Sequence, residues 1–89
     1  MIVHIDPHTL ERAEERGTTE EEIRDVLETG FPVEAKHRRS GKAKVYPFNR
    51  VRHGKFYEQK RVEVIYTMQT NEVVTVTVYV FYGKWGEPT

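Results

Sequence analysis

Apolar residues recur at helical spacing up to about residue 30, after which they alternate with polar ones. The alternation is clearest between Arg61 and Tyr82, where two arms rich in β-branched and aromatic residues flank Gln69-Thr70-Asn71. Such residues suit a pleated, half-buried surface. Val62, Val64, Tyr66 and Met68 share one face of the first arm, opposite Glu63 and Thr67. In the second arm Val74, Val76, Val78, Val80 and Tyr82 oppose Thr75, Thr77, Tyr79 and Phe81. Matching the apolar faces across a hairpin needs paired residue numbers with an even sum. A three-residue loop at 69–71 meets that condition, with Asn71 as its left-handed residue. This register predicts Val64 opposite Val76, Val62 opposite Val78, Met68 opposite Glu72, Glu63 opposite Thr77 and Arg61 opposite Tyr79. The valine face then requires a helical cover, and the Thr/Tyr/Arg face is left for water or a ligand.

The first thirty residues supply that cover. Asp6-Pro7 predicts a helix start, with Asp as N-cap and Pro at the first helical position, where its missing N–H costs nothing. Gly17 ends this helix, whose apolar side is Leu10 and Ala13. Thr19 with Glu22 three residues on fits a capping box, and Glu20, Glu21 and Glu22 suit the positive end of the helix dipole. Ile23, Val26 and Leu27 give the second helix one apolar face before Gly30. Ile2, Val3 and Ile5 are a short run suited to a terminal strand. Val33–Arg38 and Lys42–Phe48 read as a hairpin across Ser40-Gly41, with Pro47 at an edge or strand end. Helices followed by antiparallel strands make an α+β domain.

Length and composition narrow the class. Eighty-nine residues form one domain, 1–89, near the small end for core burial. The absence of Cys excludes disulfides and thiolate metal sites. Met-Ile-Val-His-Ile-Asp-Pro has neither a basic region nor a long apolar run, so no signal peptide is expected. No stretch is long and apolar enough for a membrane helix. The expectation is a soluble cytoplasmic protein without a membrane partner.

Net charge is zero but lopsided. Residues 1–35 carry ten Asp/Glu and three Arg, whereas residues 36–61 carry ten Lys/Arg and one Glu. Tyr46, Phe48, Phe56 and Tyr57 interleave with the basic residues. That combination suits a phosphate-binding surface; it equally suits acidic helices neutralising a basic sheet within one molecule.

Two groups of side chains are candidates for chemistry. His8, Arg12 and Arg16 recur every four residues and lie within about 80° on one helix stripe. They suit a phosphate backbone, His8 exchanging protons near neutral pH, or else a solvated face paired with Glu11, Glu15 or Glu20. Arg61 and Tyr79 meet on the polar strand face under the expected register, a cation beside a phenol that suits a phosphoryl group or ordinary cross-strand packing. Lys60 falls on the core face unless a bulge near Gln59 reverses the two. No metal ligation pattern, cofactor loop or nucleophile motif is present.

The opening His-Ile-Asp-Pro-His-Thr-Leu-Glu-Arg-Ala-Glu-Glu-Arg-Gly-Thr-Thr-Glu-Glu-Glu-Ile, and the closing Lys-Arg-Val-Glu-Val-Ile-Tyr with Val-Val-Thr-Val-Thr-Val-Tyr and Tyr-Gly-Lys-Trp, resemble a prokaryotic domain of unknown function related to the RelE/ParE-like toxins. The resemblance implies two N-terminal helices packed on a four-stranded antiparallel sheet. It implies a metal-independent endoribonuclease acting on RNA, including ribosome-bound mRNA, with no cofactor and with an antitoxin protein as partner. His8, Arg12, Arg61 and Tyr79 are then the candidate catalytic residues. Arg16, Arg50, Arg52, Lys55 and Lys60 are candidate substrate-binding residues. A non-catalytic protein- or nucleic-acid-binding module of the same fold is the alternative, because one fold hosts many activities.

Overall fold

The computed structural model describes residues 2–86. Among them the order is β1 (Ile2–His4), α1 (Pro7–Arg16), α2 (Glu20–Thr29), β2 (Phe31–Val33), β3 (Ser40–Arg52), β4 (Lys55–Gln69) and β5 (Glu72–Gly83). The strands form one sheet ordered β1-β5-β4-β3-β2. β1 runs parallel to β5, whereas β2–β3, β3–β4 and β4–β5 are antiparallel. The sheet is therefore five-stranded and mixed, not the four-stranded antiparallel sheet expected. The extra strand is the opening Ile-Val-His, which the two-helix crossover returns to the outer edge of β5, with Val3 opposite Val73. β2 is also shorter and earlier than expected: Phe31-Pro32-Val33 pairs with Gly41–Ala43 as an edge, where Pro32 is tolerated.

Both helices pack on one face. Ala13 of α1 and Ile23, Val26 and Leu27 of α2 form the core with Val62, Val64, Val73 and Val78. Thr19 caps α2 by accepting from the Glu22 N–H at 3.2 Å, one half of the capping box, while the Glu22 carboxylate accepts from Thr18 Oγ1 and Lys60 instead. Asp6 occupies the N-cap of α1 without a side-chain bond; instead its N–H donates to Thr75 Oγ1 at 3.0 Å. Thr75 Oγ1 in turn donates to Thr9 Oγ1 at 2.9 Å inside the core. This polar pin turns α1 so that Thr9 and Ala13 face the sheet, leaving Leu10, the expected core residue, at the surface.

A bulge explains why Thr75 lies there. The β4–β5 ladder pairs Gln69 with Glu72 and Tyr66 with Thr75, then resumes at Ile65 with Thr77. Val76 is thus an extra residue, and the tip is a two-residue loop, Thr70-Asn71, with Asn71 left-handed at φ 55°. Bulges shift every later side chain by one position. Val73 and Thr75 therefore join Val78 on the helix face, and Val76 leaves the core position expected for it. Arg61 comes opposite Phe81, and Glu63 opposite Tyr79.

Cations from the basic segment tie the helices to the sheet. Lys60 is buried, donating to Glu22 Oε1 at 2.7 Å and to Gly17 O at 3.0 Å. Lys44 and Tyr46 of β3 donate to Asp25 Oδ2 of α2 at 2.7 and 2.6 Å. Lys44, then Tyr46, hold the Asp25 carboxyl below its usual range. A depressed folded-state pKa adds stability that is complete above the unfolded value, near 4, and lost as pH falls through the folded one. Asp25→Asn should therefore cost about 1 kcal/mol at neutral pH, allowing for solvent screening. Urea melts across an acid series should show that gap closing below about pH 4; a constant gap would assign the loss to something other than ionisation.

Candidate functional site

Alternation along β4 sends Arg61, Glu63 and Ile65 away from the helices. Thr77 and Tyr79 of β5 lie opposite Ile65 and Glu63 and point the same way. The β2–β3 loop arches over this patch, and the two enclose a depression of about 720 Å³. Lys36, His37 and Arg39 line it from the loop, and Glu63, Thr77 and Tyr79 line it from the sheet. His37 and Arg38 are both left-handed, at φ 61°, and the Arg39 N–H closes the turn on Lys36 O at 3.3 Å. Two consecutive non-glycine residues in that region cost roughly 1–2 kcal/mol each, and such strain concentrates at working sites.

Arg61 borders the depression. Its Nε lies 3.4 Å from Glu63 Oε2, and its guanidinium sits 5.2 Å over the Phe31 ring. Arg16 reaches the same neighbourhood around the edge of the sheet. It donates to Val78 O at 2.6 Å, and its guanidinium lies 5.1 Å over the Tyr79 ring. The structure thus brings Arg16 to Tyr79 on β5, whereas the Arg61 guanidinium turns toward Phe31 of β2. His8 is exposed on α1, and Arg12 is paired with Glu15 at 3.0 Å. Both belong to the helix layer, with the sheet between them and Arg61.

The remaining candidates separate. Lys60 is enclosed between the two helices and the sheet, its ammonium satisfied there. Arg50, Arg52 and Lys55 lie at the far end of the β3–β4 hairpin. Arg52 donates to Glu15 O at 3.0 Å, and Tyr82 Oη donates to Arg16 O at 2.7 Å. With Lys60 on Gly17 O, three donors from three strands occupy the carbonyls at the C-terminal end of α1, where the helix dipole favours positive charge. Burial pushes the Tyr82 phenol up, which keeps it a donor.

Sequence reasoning overlooked His37, Lys36, Arg39 and Glu63. The signal was the run Lys-His-Arg-Arg before Ser-Gly; treating it as a strand hid that it is a loop above the sheet. Among the described residues no three His, Asp or Glu side chains converge as a metal site, and no helix is long and apolar enough to cross a membrane. What the depression offers is acid–base groups beside cations: the His37 imidazole, the Glu34 and Glu63 carboxylates and the Tyr79 phenol, with Lys36, Arg39 and Arg61 around them. Residues 5–80 match a family described as a domain of unknown function, DUF4258. Neither a curated protein nor a solved structure matches the chain.

Proposed function

We propose that this chain, which belongs to the DUF4258 family, is a metal-independent endoribonuclease whose site is the depression beneath the β2–β3 loop. The observation that carries the reading is the meeting of His37, Glu63 and Tyr79 with Lys36, Arg39 and Arg61 in and beside one open pocket. Cleavage of RNA without metal needs a proton acceptor, a proton donor and fixed positive charge. His37 accepts the 2′-hydroxyl proton as O2′ bonds to phosphorus. The P–O5′ bond breaks, and O5′ takes the Tyr79 hydroxyl proton; water then reprotonates Tyr79, and the hydroxide left takes the proton held by His37. Lys36, Arg39 and Arg61 neutralise the phosphorane, and Glu63 holds Arg61 in place. The resemblance to RelE/ParE-like toxins supports this chemistry, with an antitoxin as protein partner and the cytoplasm as its setting.

The test is incubation of purified protein with 5′-labelled RNA in EDTA, with and without ribosomes. Fragments ending in a cyclic phosphate are expected. RNA that is bound and left intact under both conditions would reduce the domain to a binding module, and RNA neither bound nor cut would end the nucleic-acid reading.

A further inference from the structure

The ten basic residues of segment 36–61 divide sharply. Lys44, Lys60 and Arg61 are ion-paired with Asp25, Glu22 and Glu63, so part of the charge asymmetry is neutralised internally. Arg50, Arg52 and Lys55 make no ion pair among the described residues. They lie together on the arm that ends in the His53-Gly54 turn, where Arg50 opposes Tyr57 and Arg52 opposes Lys55. The Arg50 guanidinium sits 4.8 Å over Phe48, Lys55 Nζ 5.6 Å over Tyr57, and Arg52 4.9 Å over Tyr82. Those three rings form one cluster, with Phe48 and Tyr57 centred 5.1 and 5.5 Å from Tyr82. The other side of the arm shows water the cross-strand pair Val51 and Phe56, with Phe56 55% exposed.

We propose that this arm is a second nucleic-acid site, remote from the depression, that holds single-stranded RNA. Arg50 and Lys55 take successive phosphates. Their aromatic supports restrict both cations, so less freedom is lost on contact. Phe56, on the opposite side of the arm and two residues from Gly54, stacks a base where the strand passes round the tip, an interaction available only when bases are unpaired and tolerant of sequence. Arg52 is committed to Glu15 O and positions the arm against α1. Single-strand binders combine these two elements, a cationic track and an aromatic platform.

The experiment uses the whole chain and a fluorescent 2′-O-methyl oligonucleotide of about 16 nucleotides, within the range such platforms cover. Lacking the 2′-hydroxyl, this probe cannot be cut, so its binding is read whether or not the protein is a nuclease. Arg50→Ala with Lys55→Ala should weaken binding about tenfold or more at low salt. It should also reduce the slope of log affinity against log salt by about 1.4, the value for two single-strand phosphate contacts. Phe56→Ala should weaken binding about fivefold or more. The charge-matched control, Arg12→Ala with Arg24→Ala on the helices, should leave it unchanged. Arg24, Arg50, Lys55 and Phe56 are exposed and Arg12 is partly so, and unchanged thermal midpoints verify folding. Equal losses in the control, wild-type affinity in the arm variants, or equally tight binding to a duplex would each overturn the proposal.

Discussion

His37→Asn is expected to slow RNA cleavage at least about 10²-fold, the lower end of what a positioned proton-transfer group contributes. Asparagine suits the test because it tolerates the left-handed backbone that His37 adopts at φ 61°. It keeps a polar side chain of similar reach and removes only the imidazole. The thermal midpoint should therefore stay near wild type. His8→Ala provides the contrast. His8 is exposed on the helix layer, across the sheet from Arg61, so its loss should leave the rate unchanged. If His8→Ala abolished cleavage and His37→Asn did not, the catalytic centre would lie on the α1 stripe and the depression would be irrelevant.

Gly17→Ala should destabilise the fold by about 2–4 kcal/mol in urea melts. The position has φ 93°, where a side chain costs roughly 1–2 kcal/mol. An added Cβ would also meet the Tyr82 hydroxyl and come within 2.9 Å of Arg52 Nη1. Neither group can retreat freely, because Tyr82 donates to Arg16 O and Arg52 to Glu15 O. Displacing them forfeits bonds of about 1 kcal/mol each. Gly54 is the internal control: it is also left-handed, at φ 79°, but a Cβ there meets nothing within 4 Å. Gly54→Ala should show the backbone penalty alone. Equal costs at the two glycines would mean that the junction at the end of α1 relaxes without loss.

The same junction shows how far local sequence signals reach. Thr19 and Glu22 announced the start of α2, and Gly17 the end of α1, because capping depends on residues three or four positions apart. What Glu22 does with its carboxylate was not legible. It accepts from Thr18 Oγ1 and pairs with Lys60, thirty-eight residues away. Half of the charge question was likewise open: the basic segment reads the same whether its cations pair internally or face outward. The fold answers both ways, pairing Lys44, Lys60 and Arg61 while leaving the arm uncompensated.

Alternation assigned Arg61 to the face away from the helices and Lys60 to the core, since side-chain direction in a strand is a property of single residues. It did not place Tyr79 against Glu63, because the Val76 bulge belongs to the pairing of two strands and leaves no mark in either one. The terminal strand at Ile2–His4 was legible as a strand, but not its place as a fifth, parallel edge: three residues carry too little pattern to name a partner seventy residues on. His37 is the most instructive case. Its neighbours advertised positive charge, yet only the turn at Lys36–Arg39, folded back over β4 and β5, sets an imidazole in one depression with Glu63 and Tyr79. Residue type and spacing therefore determine the helices, the strand faces and the available chemistry, all short-range properties of the chain. The register, the edge strand and the company His37 keeps arise from contacts between distant segments, whose geometry exists once the sheet has closed.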